Sequence, residues 1–211
     1  MIEAKKTIVK TEREINYNYY ISLPKNIENR KLPLIVFLHG LDERGDDVEK
    51  VKIHGIPKIF EKDNDFECIT VSPQCPGDSI WVAELRTLKT FIDEIVRDYN
   101  VDEDRIYLTG LSMGGYGTWY MAMTYPDMFA AIAPVCGGGL PWYAGVLKMP
   151  VWAFHGEVDS VVSVEESKNM VREINKTGGN AKLTIFENVD HDSWNYAYTD
   201  ELINWILRQH R

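Results

Sequence analysis

The chain has 211 residues with 45% hydrophobic and 26% charged side chains, which excludes a mainly disordered polypeptide and fits one α/β domain over residues 1–211. Its net charge of −9 and lack of a Lys/Arg run argue against nucleic acid or an anionic membrane surface as partner. The opening Met1-Ile2-Glu3-Ala4-Lys5-Lys6-Thr7 has no apolar core, and no apolar run approaches membrane-span length, so neither a signal peptide nor a span is expected.

In chain order, residues 7–10 and Asn16 to Leu23 read as strands with no helix between them, predicting an antiparallel edge. Asn26 to Lys31 reads as a polar turn. Leu34-Ile35-Val36-Phe37-Leu38 is uninterrupted apolar, as a strand buried on both faces requires, and His39-Gly40 closes it. A helix is expected near 51–62, then a strand over Glu67 to Ser72. Leu85, Leu88, Phe91, Ile92, Ile95 and Val96 recur at helical offsets within 83–99. Arg105 to Thr109 is a strand, Met113 to Tyr125 a helix ended by Pro126, and Phe129 to Val135 a strand. Val151 to Phe154 is the next strand, followed by a helix over Glu165 to Lys176 that Gly178-Gly179 terminates. Leu183 to Phe186 is the last strand and Tyr196 to Gln209 the last helix. Alternation of strand and helix from residue 34 onward predicts a mostly parallel sheet covered on both faces, with functional loops at the carboxyl ends of the strands.

Gly110-Leu111-Ser112-Met113-Gly114 matches G-x-S-x-G. The five letters alone are weak. A strand directly before and a helix directly after give them the setting in which a serine is lifted clear of a sheet. A serine hydroxyl needs a base, and His191 stands past the last strand in Asn188-Val189-Asp190-His191-Asp192-Ser193-Trp194. His39 and His155 each precede a glycine at a strand end and read as floor residues held by hydrogen bonds. His54 is on an upstream helix, and His210 is at the terminus.

The base needs a carboxylate partner. Asp159, in the loop after Val151–Phe154, gives the chain order Ser112, Asp159, His191. Glu157 competes for that role, and Asp190 and Asp192 would have to fold back on His191. The oxyanion donors are expected at the backbone N–H groups of Met113, at a helix start, and of Leu41, after Gly40. Trp81, Trp142 and Trp194 fall in loops expected to face the site, where they would contact substrate. Cys68, Cys75 and Cys136 stand at no metal-like spacing and read as buried thiols of a cytoplasmic protein. Cys75 and Cys136 both lie near predicted strand ends, which leaves a bridge between them open.

The stretches LIVFLHGLDERG (34–45), RIYLTGLSMGGYGTWYMAMTYP (105–126), VWAFHGEVDSVVSV (151–164) and VDHDSW (189–194) resemble the α/β-hydrolase superfamily. Within it, the chain is similar to the minimal esterases grouped with polyhydroxybutyrate-depolymerase-like and feruloyl-esterase-like proteins, some called predicted peptidases. The resemblance implies a Ser112–Asp159–His191 triad, an oxyanion hole at Leu41 and Met113, and hydrolysis of a small-molecule ester with no metal or organic cofactor. Larger relatives carry a cap after the strand that follows the nucleophile helix. Here Cys136 to Met149 is only a short glycine-rich loop, so no cap domain and an open site are expected. A peptidase or amidase, a thioesterase or lysophospholipase, and a catalytically silent binding protein are the competing functions.

Overall fold

The structure, a computed structural model, describes residues 16–24, 30–62 and 66–211. Its seven strands are β1 (Tyr19–Ser22), β2 (Leu32–Leu38), β3 (Ile69–Pro73), β4 (Val101–Leu111), β5 (Ala131–Val135), β6 (Val151–Gly156) and β7 (Ala181–Phe186). They form one sheet in the order β1-β3-β2-β4-β5-β6-β7. Every pairing is parallel except β1 with β3, where Tyr20 faces Ser72 and Ile21 faces Val71. The antiparallel edge is therefore present as β1. The strand expected over 7–10 and most of the turn expected at 26–31 lie outside the described residues.

Among the described residues, six α-helices accompany the sheet: α1 (Gly55–Lys62), α2 (Leu85–Asp98), α3 (Met113–Thr124), α4 (Val164–Lys176), α5 (Trp194–Ala197) and α6 (Asp200–Leu207). All seven residues of β2 are buried, and all but Pro33 divide between two cores. Leu32, Leu34, Val36 and Leu38 pack with Leu88, Ile92 and Ile95 of α2, Trp119 and Ala122 of α3, and Met170 and Ile174 of α4. Ile35 and Phe37 pack with Ile56 and Phe60 of α1 and with Leu202, Ile203 and Ile206 of α6. An alternating strand would have left one core without apolar partners, so the unbroken run in the sequence and the two-faced burial have one cause. None of the helices described is long and apolar enough to cross a membrane.

One expectation needs correction. The last helix is not continuous: α5 ends at Ala197 and α6 starts at Asp200. Tyr198 turns inward, its hydroxyl 3.1 Å from Thr109 Oγ1 on β4, while the Thr199 side chain caps α6 by accepting from the Leu202 N–H. A buried tyrosine hydroxyl needs a polar partner, and reaching Thr109 breaks the helix. The three cysteines are buried thiols, as the sequence reading expects, and the bridge left open between Cys75 and Cys136 is not formed.

The strand order has a mechanical consequence. From β2 the chain crosses to β3 on one side, and from β4 it crosses to β5 on the other. The crevice above the carboxyl ends of β2 and β4 is thus where the direction of winding changes, the usual ligand position in open parallel sheets. His39 to Leu41 leave β2 there, and Ser112 leaves β4 there.

Candidate active site

Ser112 sits between β4 and α3 with φ 51° and ψ −114°, one of three described non-glycine residues with positive φ. That conformation is strained for an L-residue and persists because its surroundings fix it. The Ser112 N–H donates to the Val135 carbonyl, 3.0 Å away, and its own carbonyl accepts from Tyr116 in the first turn of α3. Gly114 lets this helix press onto the sheet. A Cβ there would stand 1.9 Å from the Leu38 carbonyl oxygen and 2.7 Å from that of His39. The strand–turn–helix setting read from the sequence is thus present in atomic detail.

Three of the expected site residues meet. His191 Nε2 lies 2.8 Å from Ser112 Oγ, and His191 Nδ1 lies 2.8 Å and 3.0 Å from the two oxygens of Asp159. The Asp159 side chain is fully buried and that of His191 is 17% exposed. Asp159 Oδ1 also accepts from the Val161 and Val162 N–H groups at 2.9 and 2.8 Å. These two backbone donors fix the orientation of the carboxylate toward the His191 ring. The geometry permits a proton to pass from hydroxyl to imidazole with the second ring nitrogen already engaged.

The loops that carry these groups brace one another. Asp190 Oδ1 accepts from the Ser160 N–H at 2.7 Å and from the His191 N–H at 2.8 Å, while Ser160 Oγ adds a third bond. Those bonds lower the Asp190 pKa. Asp190 therefore stitches the loop after β7 to the loop after β6 rather than serving His191 directly. Glu157 is also diverted: its carboxylate accepts from the Asn188 N–H at 3.0 Å. Gly156 permits the two loops to close, since a Cβ there would lie 2.2 Å from the Asp190 carbonyl oxygen.

Met113 opens α3, so its N–H is among those with no intrahelical partner. Leu41 is 48% exposed and follows Gly40, whose Cβ position would be 3.9 Å from Ser112 Cβ. His39 ties down this loop. Its Nδ1–H donates to the Gly40 carbonyl at 2.6 Å, and its Nε2 accepts from the Cys75 N–H at 2.9 Å. Burial pushes the His39 pKa down to about 4. The unfolded chain takes up a proton near pH 6.5 that the folded state refuses, so stability falls as pH drops from about 6.5 to about 4. The loss from His39 is about 3 kcal/mol. Urea unfolding of the parent and a His39→Gln variant across that range should show their stability difference shrinking toward acid. A constant difference would contradict the assignment.

Trp81 corrects an expectation. It is fully buried, and its Nε1–H donates to the His39 carbonyl at 3.0 Å. It supports the loop after β2 from behind and offers no surface to a ligand. Trp194 does stand beside the reacting groups, its ring centroid 5.3 Å from that of His191. A cleft of about 300 Å³ lined by His54, Lys58, Trp194, Asn195 and Tyr198 adjoins it. Trp142 is 79% exposed and contacts Tyr143 in the short 3-10 segment Pro141–Val146, where a cap would otherwise be inserted.

Among the described residues, one group of metal-ligating side chains is close enough to share an ion. Cys136, Asp159 and His191 have ligand atoms within 4.8 Å of one another. Two of these already satisfy each other, and burial pushes the Cys136 thiol up to about 12, so it holds its proton at neutral pH. The set therefore fits an acid–base relay better than a cation site.

A family model described as phospholipase/carboxylesterase matches residues 66–203. A thermostable esterase of known structure superposes with a TM-score of 0.82 at 36% identity, covering 92% of this chain and 59% of that one. A bifunctional acetylxylan esterase/xylanase from Neocallimastix patriciarum is 26% identical over 173 residues, 77% of this chain and 24% of that protein. Poly(3-hydroxyalkanoate) depolymerase C from Paucimonas lemoignei is 42% identical over 64 residues, 30% of this chain and 16% of that protein. The chain thus spans a quarter or less of the length of these two curated relatives. With its sheet order, its elbow serine and a family match over most of its length, the chain belongs to the phospholipase/carboxylesterase family and has the α/β-hydrolase fold.

Proposed function

We propose that the protein is a serine carboxylesterase that cleaves short acyl esters of neutral alcohols through an acyl-enzyme. The observation that carries this is the unbroken chain of contacts from Ser112 Oγ through His191 to the buried Asp159. His191 Nε2 takes the Ser112 proton as Oγ attacks the ester carbonyl, and Asp159 stabilises the imidazolium. The N–H groups of Met113 and Leu41 receive the oxyanion. The proton passes from His191 to the departing alcohol, the acyl–Oγ ester remains, and water activated by the same imidazole releases the acid.

The rim favours an uncharged substrate. Asp42, Glu157, Asp190 and Asp192 are all exposed in loops at this end of the sheet. They repel acyl phosphate, phospholipid and acyl-thioester carriers that bear anionic groups. Similarity to an acetylxylan esterase supports the same reading, because acetyl groups on xylan sit on a neutral sugar chain. Trp194 supplies an aromatic wall for the alcohol or acyl part, with Trp142 at the outer rim. The buried thiols suit a reducing compartment, in keeping with a cytoplasmic location.

The test is a matched panel of p-nitrophenyl acetate, acetylated xylo-oligosaccharide, acetyl-coenzyme A and an acetyl anilide on purified protein. The two neutral esters should give kcat/KM at least about tenfold above the anionic thioester, with the anilide lowest. Faster anilide cleavage would replace the esterase reading with an amidase, and a preferred thioester would overturn the neutral-substrate reading.

A further inference from the structure

We infer that His155 is a positioning residue: its Nε2–H is the second donor on Asp159 Oδ2, the oxygen nearest His191, and fixes the plane of that carboxylate. This rests on the reading of Ser112, His191 and Asp159 as the reacting chain.

The His155 ring is fully buried at the end of β6. Its Nε2 lies 2.9 Å from the Val162 carbonyl oxygen and 3.3 Å from Asp159 Oδ2. A carbonyl and an ionised carboxylate can only accept, so Nε2 carries a proton shared between them. Nδ1 lies 2.8 Å from Ser167 Oγ on α4. Ser167 Oγ is also 3.2 Å from the Gly137 carbonyl, but it has one proton, and the shorter contact takes it. The ring is then neutral, with Nε2–H donating and Nδ1 accepting. Burial works in the same direction by lowering its pKa.

The consequence for Asp159 is geometric. Oδ1 is held by two backbone N–H groups. Oδ2 is bonded by His191 Nδ1 at 2.8 Å and approached from the other side by His155 Nε2 at 3.3 Å. Ser167 anchors the back of the His155 ring to α4, so the carboxylate plane is referred to a rigid helix rather than to loops alone. Without the Nε2–H, Oδ2 has a single imidazole partner, and that partner must move during each proton transfer.

The experiment compares His155→Gln, which keeps an N–H near the Nε2 position, with His155→Met, which fills similar volume without a donor. The readouts are kcat and KM on p-nitrophenyl acetate and the low-field proton NMR resonance of the His191 Nδ1–H. The Met variant should lose about 10- to 100-fold in kcat with KM within about twofold, and its resonance should weaken or shift. The Gln variant should recover most of both. Equal losses in Gln and Met, or a folded Met variant with kcat within about twofold of the parent, would overturn the inference. Should the Met protein not fold, nitrogen NMR of the unaltered protein reads the tautomer directly: Nε2–H on His155 supports the assignment and Nδ1–H refutes it. Failure of the underlying triad would show separately, as full activity in a Ser112→Ala protein.

Discussion

Replacing Ser112 with alanine should lower turnover of p-nitrophenyl acetate by about 10⁴-fold or more while leaving the fold intact. The hydroxyl is the only atom lost, and it makes one contact of consequence, to His191 Nε2 at 2.8 Å. Alanine has the same backbone preferences at φ 51° as serine to a first approximation, so thermal stability should change little. The residual rate is informative. Oxyanion donors and binding alone leave measurable catalysis over water in enzymes of this kind, so the variant should be slow rather than dead. Steady-state kinetics and a melting curve on the same preparation separate lost chemistry from lost structure. A variant with turnover within about tenfold of the parent would remove Ser112 from the mechanism.

Gly114→Ala tests the packing that raises the serine. The added Cβ would stand 1.9 Å from the Leu38 carbonyl oxygen and 2.5 Å from its carbon, both backbone atoms of β2, an interior strand of the sheet. Backbone in that position cannot rotate away as a side chain can. Either α3 retreats from the sheet or β2 bends, and overpacking of this kind costs about 3 kcal/mol or more. Against a typical domain stability of about 5–15 kcal/mol, the variant should lose much of its folded population on mild heating. Activity should fall as well, because Met113 and Ser112 ride on the same turn. Urea unfolding midpoints decide it: a shift of less than about 1 kcal/mol would mean that α3 has slack that the contacts above deny.

Much of this architecture is legible in the sequence because burial on two faces leaves a distinctive pattern. The run Leu34 to Leu38 has no polar interruption, and β2 proves to feed both cores. Leu88, Phe91, Ile92 and Ile95 occupy the buried stripe of α2 at the helical offsets read from the chain. Ser112, Asp159 and His191 come together for a different reason: each follows a strand, and parallel strands deliver their carboxyl-end loops to one place.

What escaped the sequence depended on partners remote along the chain. Trp81 looked like a site aromatic because it falls in a loop, yet its indole N–H is spent on the His39 carbonyl, 42 positions away. The break between α5 and α6 comes from Tyr198 reaching Thr109, 89 positions away. The approach of His155 to Asp159 needs coordinates, since the i,i+4 spacing there lies across a strand end and not on a helix. Asp190 beside His191 invited a direct role, and only the loop geometry shows it bracing Ser160 instead.

A fluorophosphonate probe with intact-mass and peptide analysis reports whether Ser112 is the activated nucleophile. The reagent requires a serine activated by a neighbouring base and leaves a stable adduct on the attacking oxygen. One phosphonyl group per chain, mapped to Ser112 and absent from Ser112→Ala, is the expected result. An unmodified protein, or an adduct on another serine, would rule out Ser112 as the nucleophile.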